Sequence, residues 1–359
     1  MVGSVFILYR TSLPRQISLG VPETQPLVSI IIPARNEEQN LPRLLDSLVQ
    51  LNYPAVEILV IDGHSTDRTA DVATSYPGVE VIAEPPRPQE WVGKPWACYT
   101  GYKQASGQIL LFTDADTYHT PDSLNTTVKA LQQSRGFLTL LTTQEFGSFW
   151  EHILAIVFLI ISISVRGSQG TSRANIANGQ YMMFTRQCYE SLGTHQVVKN
   201  SIIEDLAMGT HAASRGVPPF LCAHHNLVTT RMYRNLAGIR EGFGKNLALG
   251  VNQTGFGSIL SAGVITFWGL GGFLILFIQL LVGDLPALVI WDWLILLLGY
   301  TSFVLVLFLL EKNISTRGTV YVLLYPMYFL VFELIVLVSF FQTFIRKEIT
   351  WKGQQYEVS

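Results

Sequence analysis

Charge is what this chain has little of. Only 14% of its 359 residues are Asp, Glu, Lys or Arg, against about 25% in an ordinary soluble domain. The deficit lies towards the C-terminus, where residues 256–310 hold just two charged side chains, Asp284 and Asp292. That is the composition of a membrane region. With 24 Lys and Arg against 26 Asp and Glu, the chain has no basic excess. It also has no basic stripe interleaved with aromatics, which excludes nucleic acid as a partner. Cysteine is scarce too: Cys98, Cys188 and Cys222 are odd in number and widely spaced. They fit neither a disulfide framework nor a zinc site and read as reduced, cytosol-facing thiols. No internal repeat or low-complexity tract breaks the sequence.

What is present is an alternation. Its length suggests about two domains. Apolar runs at 28–32, 58–61, 79–82 and 109–112 read as strands, with helices at 41–51, 66–75 and 96–105 between them. Such βαβ units imply a parallel sheet with right-handed crossovers. A helix from 123 to 131 and strands at 137–142 and 181–184 extend the α/β domain to about residue 230. The apolar stretch 153–165 is shorter than the roughly 20 residues of a membrane span and suits a core or interfacial helix.

Three apolar segments follow, 259–282, 285–310 and 319–345, each long enough to span. The short connection at Gly283-Asp284 carries no Lys or Arg, whereas Lys312, Arg317, Arg346, Lys347 and Lys352 flank the last segment on both sides. With the α/β domain and Lys312 in the cytoplasm, a straight third span would carry Arg346 outside. Either that segment bends back at Pro326, or the tail departs from the positive-inside tendency. Asp292, between Trp291 and Trp293, reads as interfacial. Residues 1–26, apolar from 2 to 9 and without a signal-peptide cleavage pattern, read as an anchor or interfacial segment. The expected organisation is therefore that segment, a domain at 27–246, a membrane region at 256–347 and a tail at 348–359.

The chemistry starts with Asp114-Ala115-Asp116, directly after the apolar run 109–113. A strand apolar on consecutive residues is buried on both faces, so its carboxyl end delivers both acids to the rim where parallel sheets bind ligands. Two carboxylates there suit a divalent cation that leaves positions open for phosphates. Alone, the pair is equally a turn or a helix cap.

Context decides. The run from Val28 through Ile32-Pro33-Ala34-Arg35-Asn36-Glu37-Glu38, then Ile61-Asp62-Gly63-His64-Ser65-Thr66-Asp67, then Asp114-Ala115-Asp116, resembles a family-2 inverting glycosyltransferase. The resemblance covers residues 27–246 and implies a glycosyltransferase A-type α/β domain that binds a nucleotide-diphosphate sugar, followed here by C-terminal transmembrane helices. It implies a UDP- or GDP-linked donor and a divalent cation, Mg or Mn. Pro33, Arg35 and Glu37 fall where the family contacts base and ribose, and Asp62 where it accepts a hydrogen bond from the base. Many relatives carry a second acid after that aspartate; this chain has Gly63. Asp114 then serves ribose or metal, and Asp116 the metal. His119 is a further candidate ligand, although a lone loop histidine is commonly solvated.

In Trp91-Val92-Gly93-Lys94-Pro95-Trp96, Lys94 can bring a cation to phosphate or sugar oxygens. Ile203-Glu204-Asp205-Leu206 resembles the family's Glu-Asp motif, with Asp205 as the base that deprotonates the acceptor and Glu204 as its support. Acids in a helix's first turn also favour the dipole without any catalytic role. Asn178, Gly179 and Gln180 fall on the acceptor side in relatives. Arg231, Arg234, Arg240 and Lys245 are candidates for the diphosphate or for anionic headgroups. That stretch lacks the Gln-x-x-Arg-Trp motif of processive synthases, which disfavours long polymers. The ending Trp351-Lys352-Gly353-Gln354-Gln355-Tyr356 resembles membrane-bound relatives that glycosylate carotenoids, hopanoids and similar lipids. The expectation is a multi-pass membrane enzyme, its catalytic domain facing the cytoplasm, that moves one sugar to a lipophilic acceptor held in the bilayer. A carotenoid or other polyisoprenoid acceptor leads, and a glycerolipid or sphingolipid comes second. A short-chain or processive glycan synthase is the alternative enzyme. A non-catalytic membrane scaffold is the alternative of another class.

Overall fold

The structure, a computed structural model, describes residues 15–154, 177–224, 226–240, 242, 301, 324–341, 348–351 and 354–357. Two compact units divide the chain: Met1–Gln144 with Ser162–Met232, and Glu145–Ile161 with Tyr233–Ser359.

In the first unit the elements run β1 (Arg15–Gln16), β2 (Val28–Ala34), α1 (Leu41–Leu48), β3 (Val56–Asp62), α2 (Thr69–Thr74), β4 (Val79–Ala83), α3 (Gly93–Gln104) and β5 (Ile109–Thr113). Then come β6 (Thr117–His119), α4 (Ser123–Gln132), β7 (Phe137–Leu141), β8 (Thr143–Gln144), β9 (Tyr181–Thr185), α5 (Arg186–Ser191), a 3-10 turn Thr194–Val198, α6 (Glu204–Ser214), β10 (Phe220–Ala223) and β11 (Val228–Thr230). The main sheet has the order β1-β10-β7-β9-β5-β2-β3-β4. Its strands pair in parallel except β9, which runs antiparallel to both β5 and β7. A small second sheet has the order β6-β11-β8.

The expected strands are therefore present, but the sheet is mixed rather than all parallel. Residues 15 and 16, before the boundary read at 26, add an edge strand beside Cys222 and Ala223. Alternation along β2 explains the layering. Val28, Ile30, Ile32 and Ala34 share one buried cluster with Leu41, Leu44, Leu45 and Leu48 of α1 and with Leu124, Val128 and Leu131 of α4. Ile31 enters the other cluster with Leu59, Ile61, Ala97, Cys98, Leu110 and Phe112. Each fully buried Leu or Ile contributes about 1.5–3 kcal/mol, and α1 supplies its four at helical spacing.

In the second unit, a 3-10 turn at Trp150–His152 leads to buried Ile153 and Leu154. The rest of the expected interfacial helix lies outside the described residues. So do the segments 259–282 and 285–310, Thr301 apart. Within the third segment lies α7, Tyr325–Phe340, which has 16 residues. Among the described residues no helix is long and apolar enough to cross a membrane, so the expected transmembrane helices are not part of the fold described. α7 buries Tyr328, Phe332 and Ile335 and exposes Leu330, Leu334 and Val338, which makes it apolar on opposite sides. Strands β12 (Glu348–Trp351) and β13 (Gln354–Glu357) form an antiparallel hairpin in which Trp351 pairs with Gln354.

Leu44 is fully buried between α1 and β2. Leu44→Ala should lower the unfolding free energy by about 2–5 kcal/mol, read from urea titration.

Candidate active site

Three parallel strands stop at one level. Ala34 of β2 pairs with Asp62 of β3, and Asp62 with Ala83 of β4. The ladder runs one residue further, Gly63 N donating to Ala34 O (2.8 Å) and Glu84 N to Asp62 O (2.9 Å). Arg35, Gly63 and Glu84 thus sit side by side on the carboxyl edge, where open α/β sheets take ligands. The antiparallel β9 begins opposite the end of β5, Tyr181 against Thr113. That direction brings residues 178–180 to the same rim as Asp114.

At this rim Lys94, in the first turn of α3, places its ammonium 2.7 Å from Asp114 Oδ1 and 2.8 Å from Glu204 Oε1. Asp205 is the next residue of α6. Its Oδ2 accepts from Gly179 N (2.8 Å) and its Oδ1 from Leu206 N (2.8 Å). Five of the residues singled out in the sequence, Lys94, Asp114, Gly179, Glu204 and Asp205, therefore form one cluster.

Charge and burial set its protonation. Burial alone would lower the Lys94 pKa, but Asp114, Glu204 and Asp205 together hold it well above its ordinary value, so the lysine stays cationic. Burial raises Asp114 against the pull of Lys94. Burial and neighbouring Glu204 push Asp205 up to about 6, with Lys94 and the two backbone N–H groups opposing. A carboxyl at that value is ionised at neutral pH and is a better proton acceptor than an ordinary aspartate.

The other candidates divide. Asp62 Oδ2 accepts from Ser65 N (3.3 Å), while Oδ1 is buried with no hydrogen-bond partner. The buried oxygen is thus available to a ligand. Pro33 is half-buried at the end of β2, and Arg35 follows it. Glu37 works within the loop: its N donates to Thr69 Oγ1 (2.7 Å), its Oε2 accepts from Asn40 Nδ2 (2.8 Å), and its carbonyl receives the N–H groups opening α1. Asp116 closes the turn that follows β5, and its carbonyl accepts from Arg231 N (3.2 Å). Arg231 is thereby brought beside the metal motif.

Asn178 and Gln180 build the turn that delivers Gly179 N. Asn178 Nδ2 donates to Leu140 O (2.9 Å), and Gln180 Oε1 accepts from the Thr142 and Thr230 hydroxyls. His119 is buried, its Nε2 lying 3.2 Å from both the Thr113 and Thr117 hydroxyls. Burial drops its pKa to about 3, so the ring is neutral, and it sits in the core rather than in a solvated loop. Arg234 and Arg240 are exposed and belong to the second unit, as does Trp351. Lys245 and Lys352 lie outside the described residues.

Sequence reasoning missed Glu84. It is the first acid after an apolar strand, the same signal that marked Asp114, and Pro85-Pro86 follows it. The residue is 6% exposed. Burial lifts its carboxyl to about 7, against Arg87 and Arg35, with Asp62 adding to the rise.

Among the described residues no three His, Cys, Asp or Glu side chains gather as a metal-holding group. Asp114 and Asp116 are two hard oxygen ligands at a strand end. They suit a cation whose shell is completed by phosphate oxygens and water, the usual way Mg2+ binds at such sites.

Comparison with known proteins identifies the family to which this rim belongs. Residues 29–192 match the family model described as Glycosyl transferase family 2. A 4,4'-diaponeurosporenoate glycosyltransferase of Staphylococcus aureus strain USA300 is 30% identical over 345 residues, which are 92% of this chain and 88% of that protein. Its counterpart in strain MRSA252 matches with the same identity and coverage. A mannosyltransferase from Pyrobaculum calidifontis, solved with GDP-Man and Mn2+, shares the fold with a TM-score of 0.52 at 18% identity, covering 93% of this chain and 94% of that one. The chain belongs to glycosyl transferase family 2, the nucleotide-sugar dependent glycosyltransferases.

Gly179 admits no side chain: a Cβ there would lie 2.9 Å from Asp205 Oδ2 and 3.0 Å from Lys94 Nζ. Gly179→Ala should cut sugar transfer about tenfold or more by displacing the aspartate, with the thermal melting curve of the variant showing that the fold persists.

Proposed function

We propose that this enzyme transfers one sugar, with inversion, from a UDP- or GDP-linked donor to a carotenoid or other polyisoprenoid acceptor at the cytoplasmic face of a membrane. The observation that carries the chemistry is the cluster of Asp205, Gly179 N, Glu204, Lys94 and Asp114. In this reading Arg35, Asp62 and the rim beside them hold the nucleoside. Asp114 and Asp116 would hold a divalent cation, which would supply positive charge for the diphosphate leaving group. Lys94 adds a fixed positive charge beside Asp114 and keeps Glu204 in place. Gly179 N fixes Asp205, which takes the proton of the acceptor hydroxyl while that oxygen bonds to the anomeric carbon. The sugar–diphosphate bond breaks on the opposite face, and its electron pair leaves with the diphosphate.

The acceptor class is supported by the relative named for 4,4'-diaponeurosporenoate, matched along nearly the whole chain. The membrane setting is supported by the stretch 256–310, which has only two charged residues, and by the exposed Leu330, Leu334 and Val338 stripe of α7. At 16 residues that helix is about 24 Å long, which suits an interfacial or re-entrant element. An acceptor held in the bilayer reaches the site by proximity, so weak affinity for a free ligand suffices.

Membranes containing the enzyme, supplied with UDP- or GDP-sugar, Mg2+ and a carotenoid bearing a hydroxyl or carboxylate, should yield a monoglycosylated carotenoid by mass spectrometry. EDTA should stop its formation. Transfer only to glycerolipid or sphingolipid would overturn the acceptor assignment, and a polymeric product would point to a glycan synthase.

Asp205→Asn should lower transfer to a hydroxyl acceptor by about 10²- to 10⁴-fold with nucleotide binding retained; unchanged turnover on that acceptor would sink the base assignment. Because the base acts ionised, kcat/KM for a hydroxyl acceptor should rise with pH and reach half its plateau near 6. For a carboxylate acceptor, itself already ionised at that pH, the same profile should be nearly flat.

A further inference from the structure

Gly63, directly after Asp62 at the end of β3, has no side chain, yet the rim does hold an acid beside Asp62. A Cβ on Gly63 would lie 3.2 Å from Glu84 Oε2, 3.4 Å from Ala34 O and 3.6 Å from Arg35 Cβ. The carboxyl of Glu84 thus fills the space in front of Gly63, arriving from the neighbouring strand instead of along the chain. Its backbone is fixed there, because Glu84 N donates to Asp62 O (2.9 Å). The loop behind it is pinned by Trp96 Nε1 donating to Pro85 O (3.0 Å). Beside it, Asp62 presents a buried Oδ1 with no hydrogen-bond partner. Arg87 and Arg35 face the Glu84 carboxyl, which leaves the buried Asp62 Oδ1 as the oxygen that a hydrogen-bonding ligand would satisfy.

We propose that Glu84 is a base-reading residue of the donor site, contacting the edge of the nucleoside's base together with Asp62 and occupying the place that Gly63 leaves open. The assignment rests on the donor site proposed above. It explains why position 63 has no side chain: an aspartate there would meet the Glu84 carboxyl. The two positions should therefore be exchangeable. An acid moved to 63 can serve only if Glu84 is removed.

Calorimetry on the full-length protein in detergent, titrated separately with UDP, GDP and inorganic pyrophosphate in the presence of Mg2+, tests this. Glu84→Ala should weaken binding of the preferred nucleotide about tenfold and leave pyrophosphate affinity within about twofold. Gly63→Asp alone should weaken the nucleotide, and Gly63→Asp with Glu84→Ala should recover most of the loss. Nucleotide affinity unchanged in Glu84→Ala would overturn the proposal. So would an equal loss of pyrophosphate, which would reveal a merely structural role. If the unaltered protein bound pyrophosphate but neither nucleotide, the donor-site reading would fall and this assignment with it.

Discussion

The site depends on one ammonium group. Lys94 comes from the first turn of α3, Asp114 from the end of β5 and Glu204 from the start of α6, and the Nζ is within 2.8 Å of both acids. These residues are far apart in sequence and meet only when the sheet is complete. A charge group so arranged adds little net stability, because taking the ions from water offsets their attraction. Removing the lysine is a different matter, since it leaves buried Glu204 without its cation. The arrangement is thus a device for fixing geometry. By anchoring Glu204, Lys94 fixes the start of α6, and through it the position and pKa of Asp205.

A second constraint is the direction of β9. A purely parallel sheet would put the start of every strand at the amino edge, away from the acids. Running antiparallel between β5 and β7, β9 starts at the carboxyl edge, and the turn before it delivers Gly179 N to Asp205. The strength of that turn lies in polar contacts to the sheet, Asn178 to Leu140 O and Gln180 to Thr142. Asn178 and Gln180, read as acceptor-side residues, also frame the turn that holds Asp205, with side-chain atoms engaged by the sheet.

The strands buried on both faces were legible because a short run of consecutive apolar residues between turn signals suits little else; β2, β3 and β5 lie where 28–32, 58–61 and 109–112 were read, and the half-buried edge strand β4 lies at 79–82. The helix read from 96 begins at Gly93. Gly-Lys-Pro looks like a turn, but proline is compatible with a first helical turn, where its missing N–H removes no bond. The antiparallel direction of β9 was not legible, since alternation of strands and helices favours parallel pairing and its β5 partner lies about 70 residues earlier. Short β1, β6, β8 and β11 carry too few residues for any period to register. The ordered motifs marked Lys94, Asp114, Glu204 and Asp205, but not that the lysine would bind two of the acids. Glu84 escaped because its partner position is Gly63 on another strand, and sequence offers no signal for a side chain that is absent.

The balance of charge at the rim bears on how a donor can bind. Lys94 faces Asp114, Glu204 and Asp205, and Asp116 follows one residue beyond Asp114. One cation against these acids leaves the region net negative where solvent is scarce and charges interact strongly. A diphosphate would add further negative charge to that rim. It can be held only if positive charge arrives with it or is drawn from nearby. Arg231, tied by its backbone N–H to Asp116 O, offers one positive charge at most. A divalent cation held by Asp114 and Asp116 would supply two, through the same carboxylates that would otherwise repel the donor. The acid pair would then favour donor and cation arriving together over either alone, which makes the negative rim compatible with a diphosphate.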